Sequence, residues 1–294
     1  MRRENIGYIY LLPFICILVF FFAYPSIFNF IMSLYDWDGF SKKIFANYVG
    51  LKNYIRLSRD GYFWIALRNT AYFELTCCVF QVFFPLFFAL VLFFGQFKYE
   101  NTIKALIYFP ALISPVVVGL VWRYLLSLDG LVNAMLRSIG LDFLAIEWLG
   151  NIYTPIWIIA FINIWQFTGY GMVIFLAGLS SINKEIIEAA TVDGASLFQC
   201  ILKIVVPVLR PIIILDLLLV FITGFRVFDI VFVLTRGGPV HHSELLTTLM
   251  YYYSFDSFGP NKMGVAAGIS VFLLLIVIVF SVIRGNFIKR ETTL

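Results

Sequence analysis

Charged residues are scarce in this chain of 294 residues. Asp, Glu, Lys and Arg make up 13% of the sequence, whereas 62% of the residues are hydrophobic. A soluble domain carries about 25% charged residues and about 45–50% apolar ones. A water-soluble domain of this size would still need a large polar surface. The composition therefore excludes an ordinary soluble domain and indicates that lipid is the main solvent of the chain.

Motifs for catalysis and for cofactor binding are also missing. The sequence contains no Gly-x-x-x-x-Gly-Lys-Ser/Thr, and therefore no P-loop, and it contains neither His-Glu-x-x-His nor Gly-x-Ser-x-Gly. Its four cysteines and two histidines lack the spacing of a metal site. The net charge of +4 forms no basic stripe with interleaved aromatics, which argues against a nucleic-acid partner. We predict no catalytic residues, no metal ligands and no cofactor bound by this chain.

Long apolar segments fill most of the sequence instead. A bilayer core about 30 Å thick requires about 20 apolar residues of helix, and these segments lack the alternation of membrane strands. The predicted fold class is all-α, a polytopic membrane protein with six transmembrane helices in a single domain over residues 1–294. The predicted spans are 9–34, 64–94, 106–126, 154–179, 207–234 and 263–283.

The distribution of Lys and Arg between the loops bears on orientation. With the N-terminus inside the cell, nine of these residues lie in cytoplasmic segments and eight lie outside. Five of the eight fall in the loop 35–63, where 48–57 is predicted to form an interfacial helix, and without this loop the ratio is nine to three. By the positive-inside rule this ratio favours cytoplasmic termini. The predicted location is the bacterial cytoplasmic membrane.

Ionisable residues inside the spans are few. Those of the fifth predicted span include Asp216, Arg226 and Asp229. Ionisable groups cost about 2.5–3.5 kcal/mol at the centre of a membrane helix, so they usually face protein or water. On a continuous helix, Arg226 and Asp229 would share a face and could pair. The sequence leaves open whether this pair faces a cavity or holds helices together.

The cytoplasmic loop 181–206 has the pattern of a short amphipathic helix. Asn183 is a suitable N-cap, and Glu185 follows it in the first turn, where the helix dipole favours an acid. Gly194 permits a bend. An apolar stripe is predicted along this helix at spacings of three and four residues, formed by Ile187, Ala190, Gly194, Leu197 and Ile201.

Part of this loop resembles a motif of a known family. Permease subunits of ATP-binding-cassette (ABC) importers carry Glu-Ala-Ala-x-x-x-Gly, followed after nine residues by Ile-x-Leu-Pro. Here the stretch 188–190, Gly194, Ile204 and Pro207 match in register, and Val206 replaces the usual Leu. The chain is similar to the maltose- and glycerol-phosphate-type branch along almost its whole length, and Thr235-x-Gly-Gly-Pro resembles the first of the two permeases in such systems. Further matching stretches are 34–39, 50–54, 114–117 with Trp122, 129–133, 147–149 and 234–239.

The resemblance implies several partner proteins. It implies a second homologous permease, two ATPase subunits or domains that bind ATP and Mg, and an extracytoplasmic solute-binding protein that delivers a sugar. The coupling helix would dock on the ATPase. Its expected contact residues are Glu188, Ala189, Ala190, Asp193 and Gly194.

The resemblance also places a sugar pathway on the fourth and fifth spans. Asn163, Gln166 and Tyr170 are spaced to share one helical face, and they offer amide groups and an aromatic ring to a sugar. Hydrogen bonding between helices is the alternative role of such polar groups. The fifth span is expected to contribute Thr223, Gly224, Arg226 and Asp229.

Two further hypotheses remain open at the level of sequence. One keeps the importer but changes its cargo to glycerol phosphate or a polyol. The other is a membrane scaffold or membrane enzyme without a transport role, which the missing catalytic motifs and the coupling motif make the weaker hypothesis.

Overall fold

The computed structural model describes residues 4–41, 45, 47–95, 97–256 and 262–291, with side chains described between 10 and 282. Among the described residues the regular secondary structure is helical, apart from an isolated antiparallel bridge between Tyr35 and Tyr48. The helices are α1 Glu4–Leu18, α2 Tyr24–Met32, α3 Lys52–Ser58, α4 Gly61–Phe94, α5 Glu100–Tyr108, α6 Pro115–Leu125, α7 Leu131–Ser138, α8 Pro155–Ser180, α9 Lys184–Val192, α10 Leu197–Cys200, α11 Val206–Gly224, α12 Asp229–Leu234, α13 Leu246–Ser254 and α14 Met263–Glu291.

Five helical segments of the described chain are long and apolar enough to cross a membrane, and a bent pair of helices brings the number to six. This agrees with the predicted all-α membrane fold and its six spans. The five segments are Tyr10–Met32, Gly61–Phe94, Pro155–Ser180, Leu197–Gly224 and Met263–Val282. Single turns of π-helix join α1 to α2 and α10 to α11, so the helices on either side of each turn run on as one segment.

The third predicted span, 106–126, is not one straight helix. Helix α5, with the 3-10 turn that extends it to Leu112, meets α6 at an angle of 95°. Ser114 is extended, with ψ of 135°, and precedes Pro115. A residue before proline avoids the helical region, and proline has no N–H to continue the hydrogen-bond ladder. The prediction of an unbroken helix here is wrong because Pro115 begins a new helix.

The fifth predicted span, 207–234, is also interrupted. Helix α11 ends at Gly224, and α12 begins only at Asp229. Arg226 therefore lies in the turn between two helices, so the expectation that Arg226 and Asp229 share one helical face is wrong. No salt bridge joins these two residues within the described structure.

The described residues fall into two compact units. One consists of Met1–Trp64 and Leu246–Leu294, and the other of Ile65–Leu245. In the first unit, α3 overlaps the predicted interfacial helix 48–57, but it begins four residues later and ends one residue beyond it. Asn53 of α3 is fully buried, and its Nδ2 donates hydrogen bonds to the carbonyls of Ser33 (2.9 Å) and Tyr35 (2.8 Å). The family-like stretch 50–54 therefore has a structural role, since it ties α3 to the end of α2.

The second unit is organised around α8, which is buried along much of its length. One apolar cluster joins α8 to α4, α6, α11 and α12, with Phe73, Ile159, Ile162 and Ile230 almost fully enclosed. A second cluster packs Met172 and other α8 residues against α4 and α11. The core of this unit therefore holds the two interrupted spans in place around a continuous helix.

The loop between α6 and α8 is fixed by one buried amide. The Nδ2 of Asn133 donates to the carbonyls of Leu128 (3.1 Å) and Ile146 (3.0 Å), and the Nε1 of Trp148 donates to Asn133 Oδ1 at 2.8 Å. The family-like stretches 129–133 and 147–149 thus meet in this network. Their polar side chains satisfy backbone groups that would otherwise be buried without partners.

Candidate functional site

The coupling segment, residues 183–200, begins with the predicted cap. Asn183 has extended backbone angles, and its Oδ1 accepts a hydrogen bond from the N–H of Glu185 at 3.0 Å. Such a cap satisfies one of the free N–H groups at the start of a helix. Helix α9 then runs through the Glu-Ala-Ala sequence and ends at Val192. The start of the predicted helix is therefore confirmed.

The end of α9 differs from the prediction. Gly194 has φ of +83°, in the left-handed region that glycine adopts without steric cost, and it ends the helix. A second helix, α10, starts after Ser196, which forms a capping box with Gln199. The predicted bend at Gly194 is confirmed, but the single apolar stripe from Ile187 to Ile201 is wrong because the chain turns between α9 and α10.

The coupling segment has an inner and an outer surface. Ile187 packs against the apolar cluster around Met172, which anchors α9 to the core. The predicted ATPase-coupling residues lie on the outer surface of this segment. Glu188, Ala189, Asp193 and Gly194 are exposed, and Ala190 is partly exposed. Large apolar side chains accompany them, since Ile186, Val192, Leu197 and Phe198 are also exposed. The outer surface therefore combines two acidic residues, Glu188 and Asp193, with both small and large apolar side chains.

A cavity of about 350 Å³ opens in the second unit between α4, α6, α8, α11 and α12. Both interruptions of the spans contribute to it, through Pro115 at the start of α6 and through the turn between α11 and α12. Its lining consists of Gln81, Pro115, Asn163, Phe167, Tyr170, Gly171, Asp216, Leu219, Val220, Thr223, Gly224, Arg226, Val227, Phe228, Asp229 and Ile230. The cavity is mainly apolar, with a few polar groups, as is typical of sites for small molecules.

The cavity brings together most of the residues predicted to form the substrate pathway. Its lining includes six of them: Asn163, Tyr170, Thr223, Gly224, Arg226 and Asp229. Gln166, the seventh, is fully buried outside this lining. Its Nε2 donates to the carbonyl of Ile113 at 2.9 Å, at the bend between α5 and α6. Gln166 therefore has the helix-linking role that was the alternative for these polar groups.

Asn163 is held by a residue that the sequence patterns did not single out. The Nε2 of Gln81 lies 2.9 Å from Asn163 Oδ1 and 3.1 Å from its carbonyl oxygen, and donates to both. The thiol of Cys77 also approaches Asn163 Oδ1, at 3.8 Å. Gln81 lines the cavity and is 7% exposed. Its signal in the sequence was an amide near the middle of a predicted span, the kind of residue that usually faces protein or a polar cavity.

Two buried carboxyl groups lie in the same region. Asp216 lines the cavity, whereas Glu74 lies behind its wall, with its carboxyl group against Gly224 and the Cys78 thiol. Each has one oxygen, Asp216 Oδ2 and Glu74 Oε2, that is enclosed and has no hydrogen-bond partner among the described residues. Asp216 was among the ionisable residues noted in the fifth predicted span, but no spacing in the sequence linked it to Asn163 or linked Glu74 to Gly224.

Comparison with known proteins identifies the family. Residues 79–292 match the model of the binding-protein-dependent transport system inner membrane component family. The chain belongs to this family. It is 32% identical over 290 residues to a probable ABC transporter permease protein of Bacillus subtilis, covering 98% of this chain and 97% of the relative. This permease is thus a multi-pass membrane protein, as its apolar helices indicate.

Further relatives are named as sugar transport components. The permease is 29% identical to the trehalose/maltose transport system permease protein MalF of Thermococcus litoralis, over 96% of this chain and 93% of the relative. It is 31% identical to the arabinooligosaccharides permease protein AraP of Bacillus subtilis, over 96% and 88%. Among solved structures, a bacterial alginate ABC transporter in complex with an alginate pentasaccharide-bound periplasmic protein matches with a TM-score of 0.84 and 26% identity, over 99% of this chain and 96% of that one.

Proposed function

We propose that this permease forms half of the membrane pathway of an ABC importer, through which a sugar or oligosaccharide passes after delivery by an extracytoplasmic binding protein. A second, homologous permease forms the other half. The names of the trehalose/maltose and arabinooligosaccharide relatives support carbohydrate as cargo. The alginate transporter with its periplasmic protein supports delivery by a binding protein.

The coupling segment is the observation that carries this proposal. Glu188 and Ala189 are exposed on a helix that Ile187 anchors to the core. Gly194 turns the chain directly after this helix, into α10 and the next apolar segment. A push on α9 is therefore transmitted to α8 and α11, the two helices that form much of the cavity wall. Rocking of rigid halves around a central site is the general transporter mechanism.

In this proposal, the partner ATPases supply the energy for transport. The chain contains no P-loop sequence, so two ATPase subunits or domains bind ATP and Mg and hydrolyse the nucleotide. The permease itself catalyses no reaction and binds no cofactor. Closure of the ATPases moves the two coupling segments together and opens the pathway to the outside.

The topology in this proposal places both termini in the cytoplasm of the cell. Ser181 then faces the inside and His242 the outside. Single cysteines at these positions, in a variant with the exposed Cys16 replaced by serine, report the orientation through a membrane-impermeant maleimide. We expect labelling from outside at position 242 only. Labelling of position 181 in intact cells would overturn the topology.

Coupling is tested in the complete reconstituted importer, by ATPase activity with and without loaded binding protein. We expect Glu188→Ala to reduce the stimulation roughly tenfold or more, because a hydrogen bond to a charged group contributes about 1.5–3 kcal/mol. Gly194→Leu places a side chain at φ of +83° and on the docking surface, and we expect a similar or larger loss. Both variants should still insert and assemble.

Matched controls separate docking from general damage. Glu185→Ala removes an acid from the same helix, in the turn that is capped by Asn183. Gly140→Leu introduces a residue at a similarly positive φ of +76°, where an added Cβ meets nothing within 4 Å. We expect both controls to retain most of the stimulation. Full stimulation in Glu188→Ala and Gly194→Leu would mean that 183–200 only connects two helices.

A further inference from the structure

Of the enclosed oxygens that have no hydrogen-bond partner among the described residues, one belongs to a residue of the cavity lining. Asp216 is 2% exposed and lines the cavity, and its Oδ2 has no hydrogen-bond partner among the described residues. Its Oδ1 lies beside Gly171 of α8, where a Cβ would come within 3.6 Å of it. A buried polar atom without a partner is costly, and such atoms in native proteins usually have a reason.

Donors from a ligand would satisfy this carboxyl group. We infer that Asp216 is a specificity-determining residue that accepts a hydrogen bond from a hydroxyl of the cargo, and that the cargo is an uncharged polyhydroxylated molecule. This inference rests on the proposed importer function and narrows its cargo. A carboxyl group keeps an oxygen acceptor for a hydroxyl in either protonation state.

The other charged residues of the cavity lining also favour an uncharged cargo. Among the described lining residues, two carboxyl groups, Asp216 and Asp229, stand against one guanidinium, Arg226. Arg226 and Asp229 are both exposed, so solvent screens them more strongly than the buried Asp216. A uronate or phosphate near Asp216 would meet a like charge whenever this carboxyl group is ionised, and repulsion is strong in a region of low dielectric.

The remaining lining suits a neutral sugar. Tyr170, which is 50% exposed, and Phe167 offer aromatic faces for stacking. Pro115, the residue of α6 that lines the cavity, has no backbone N–H to offer an anion. Glycerol phosphate, one of the alternatives open from sequence, therefore fits this cavity less well than an uncharged sugar.

The experiment measures equilibrium binding to the complete permease–ATPase complex in nanodiscs. The binding protein is omitted so that its own selectivity does not enter. The neutral probes are radiolabelled maltotriose, cellotriose and arabinotriose, and the anionic probe is trigalacturonate. We expect the best neutral probe to bind at least roughly tenfold more tightly than trigalacturonate. Asp216→Asn should weaken that neutral probe roughly tenfold to hundredfold, as expected for loss of a charged hydrogen-bond acceptor. Binding of trigalacturonate should stay unchanged or become tighter, because the like charge is removed.

Glu74→Gln is the matched control. Glu74 is 3% exposed, with an equally unpartnered oxygen, but it is not part of the lining. This variant should keep the wild-type ratio of neutral to anionic binding, and thermal unfolding of both variants checks that the complex remains folded. Should both variants change the ratio equally, the effect would come from buried charge in general, and the inference would fail.

Two further outcomes also overturn the inference. One is binding of trigalacturonate as tight as that of every neutral probe, and the other is absence of neutral binding at millimolar concentration. Neither result alone contradicts the importer function, which stands or falls with stimulation of the ATPase by the loaded binding protein. The two failures are therefore distinguishable.

Discussion

The coupling segment and the cavity are built in opposite ways. The coupling segment is continuous in sequence, short and exposed, and its form depends on local features such as the Asn183 cap and the positive φ of Gly194. The cavity is assembled from five helices, and three of its polar lining residues, Gln81, Asn163 and Asp216, are buried. Changes in the coupling segment should therefore affect transport without affecting folding, whereas changes in the cavity wall should affect both.

The largest effect is expected at Gly224. A Cβ at this position would collide with the carboxyl group of Glu74, which is 3% exposed. Gly224→Leu overpacks this wall and should destabilise the complex by at least about 1–3 kcal/mol, measured as a lower thermal unfolding midpoint. Glu74→Ala in the same chain should restore much of the lost stability, because it makes space for the leucine side chain.

Gly61→Leu is the control for this prediction, because nothing lies within 4 Å of a Cβ at that position. It should unfold at the wild-type temperature. A Gly224→Leu complex as stable as the wild type would show that the cavity wall rearranges at little cost. It would also remove the contrast between the coupling segment and the cavity.

Asn163→Ala should have the next largest effect. It removes the side-chain acceptor of the Gln81 amide in a buried setting, which typically costs about 1–3 kcal/mol. Asn163→Asp keeps an oxygen for Gln81 and should be the more stable of the two variants. Thermal unfolding of both variants tests this order. The reverse order would mean that the Asn163 amide nitrogen, and not its oxygen, is the important group.

Ser196→Ala tests the coupling segment. The variant removes the N-cap of α10, and caps typically contribute about 1 kcal/mol. The loss is local, so we expect reduced ATPase stimulation with an unchanged unfolding midpoint. Ser196→Asp preserves the cap and should retain stimulation. A lowered midpoint in Ser196→Ala would contradict the separation of coupling from stability.

The smallest effect is expected at the exposed ion pair of the first unit. Arg56 donates to Asp36 at 2.9 Å and lowers the pKa of Asp36 below its ordinary value of 3.8. A lowered pKa stabilises the folded state at pH values above the ordinary pKa of the carboxyl group. This stabilisation is lost as the pH falls through the lowered pKa. Because both side chains are more than 40% exposed, the pair contributes less than about 1 kcal/mol. Asp36→Asn should reduce stability slightly at pH 7 and not at pH 2, as thermal unfolding at the two values can show.

Sequence alone determined the features that depend on local chemistry. The apolar segments predicted a helical membrane protein, because lipid requires every backbone group to be paired within the helix. The cap at Asn183 and the turn at Gly194 were also predictable, since they depend on residues that are near neighbours in the chain. The spaced motif from Glu188 to Pro207 was sufficient to indicate the family, because its residues are fixed by their spacing along one loop.

Only the tertiary structure decided which polar groups meet. Helical spacing placed Gln166 with Asn163, but packing directs Gln166 to the bend at Ile113 and pairs Asn163 with Gln81 from another helix. Hydropathy could not reveal the break after Gly224, because apolar residues surround Arg226 and Asp229 and keep the stretch apolar on average. Contacts between residues far apart in sequence, such as Glu74 and Gly224, leave no local pattern. The cavity and its unpartnered carboxyl group at Asp216 became visible only once these helices were packed together.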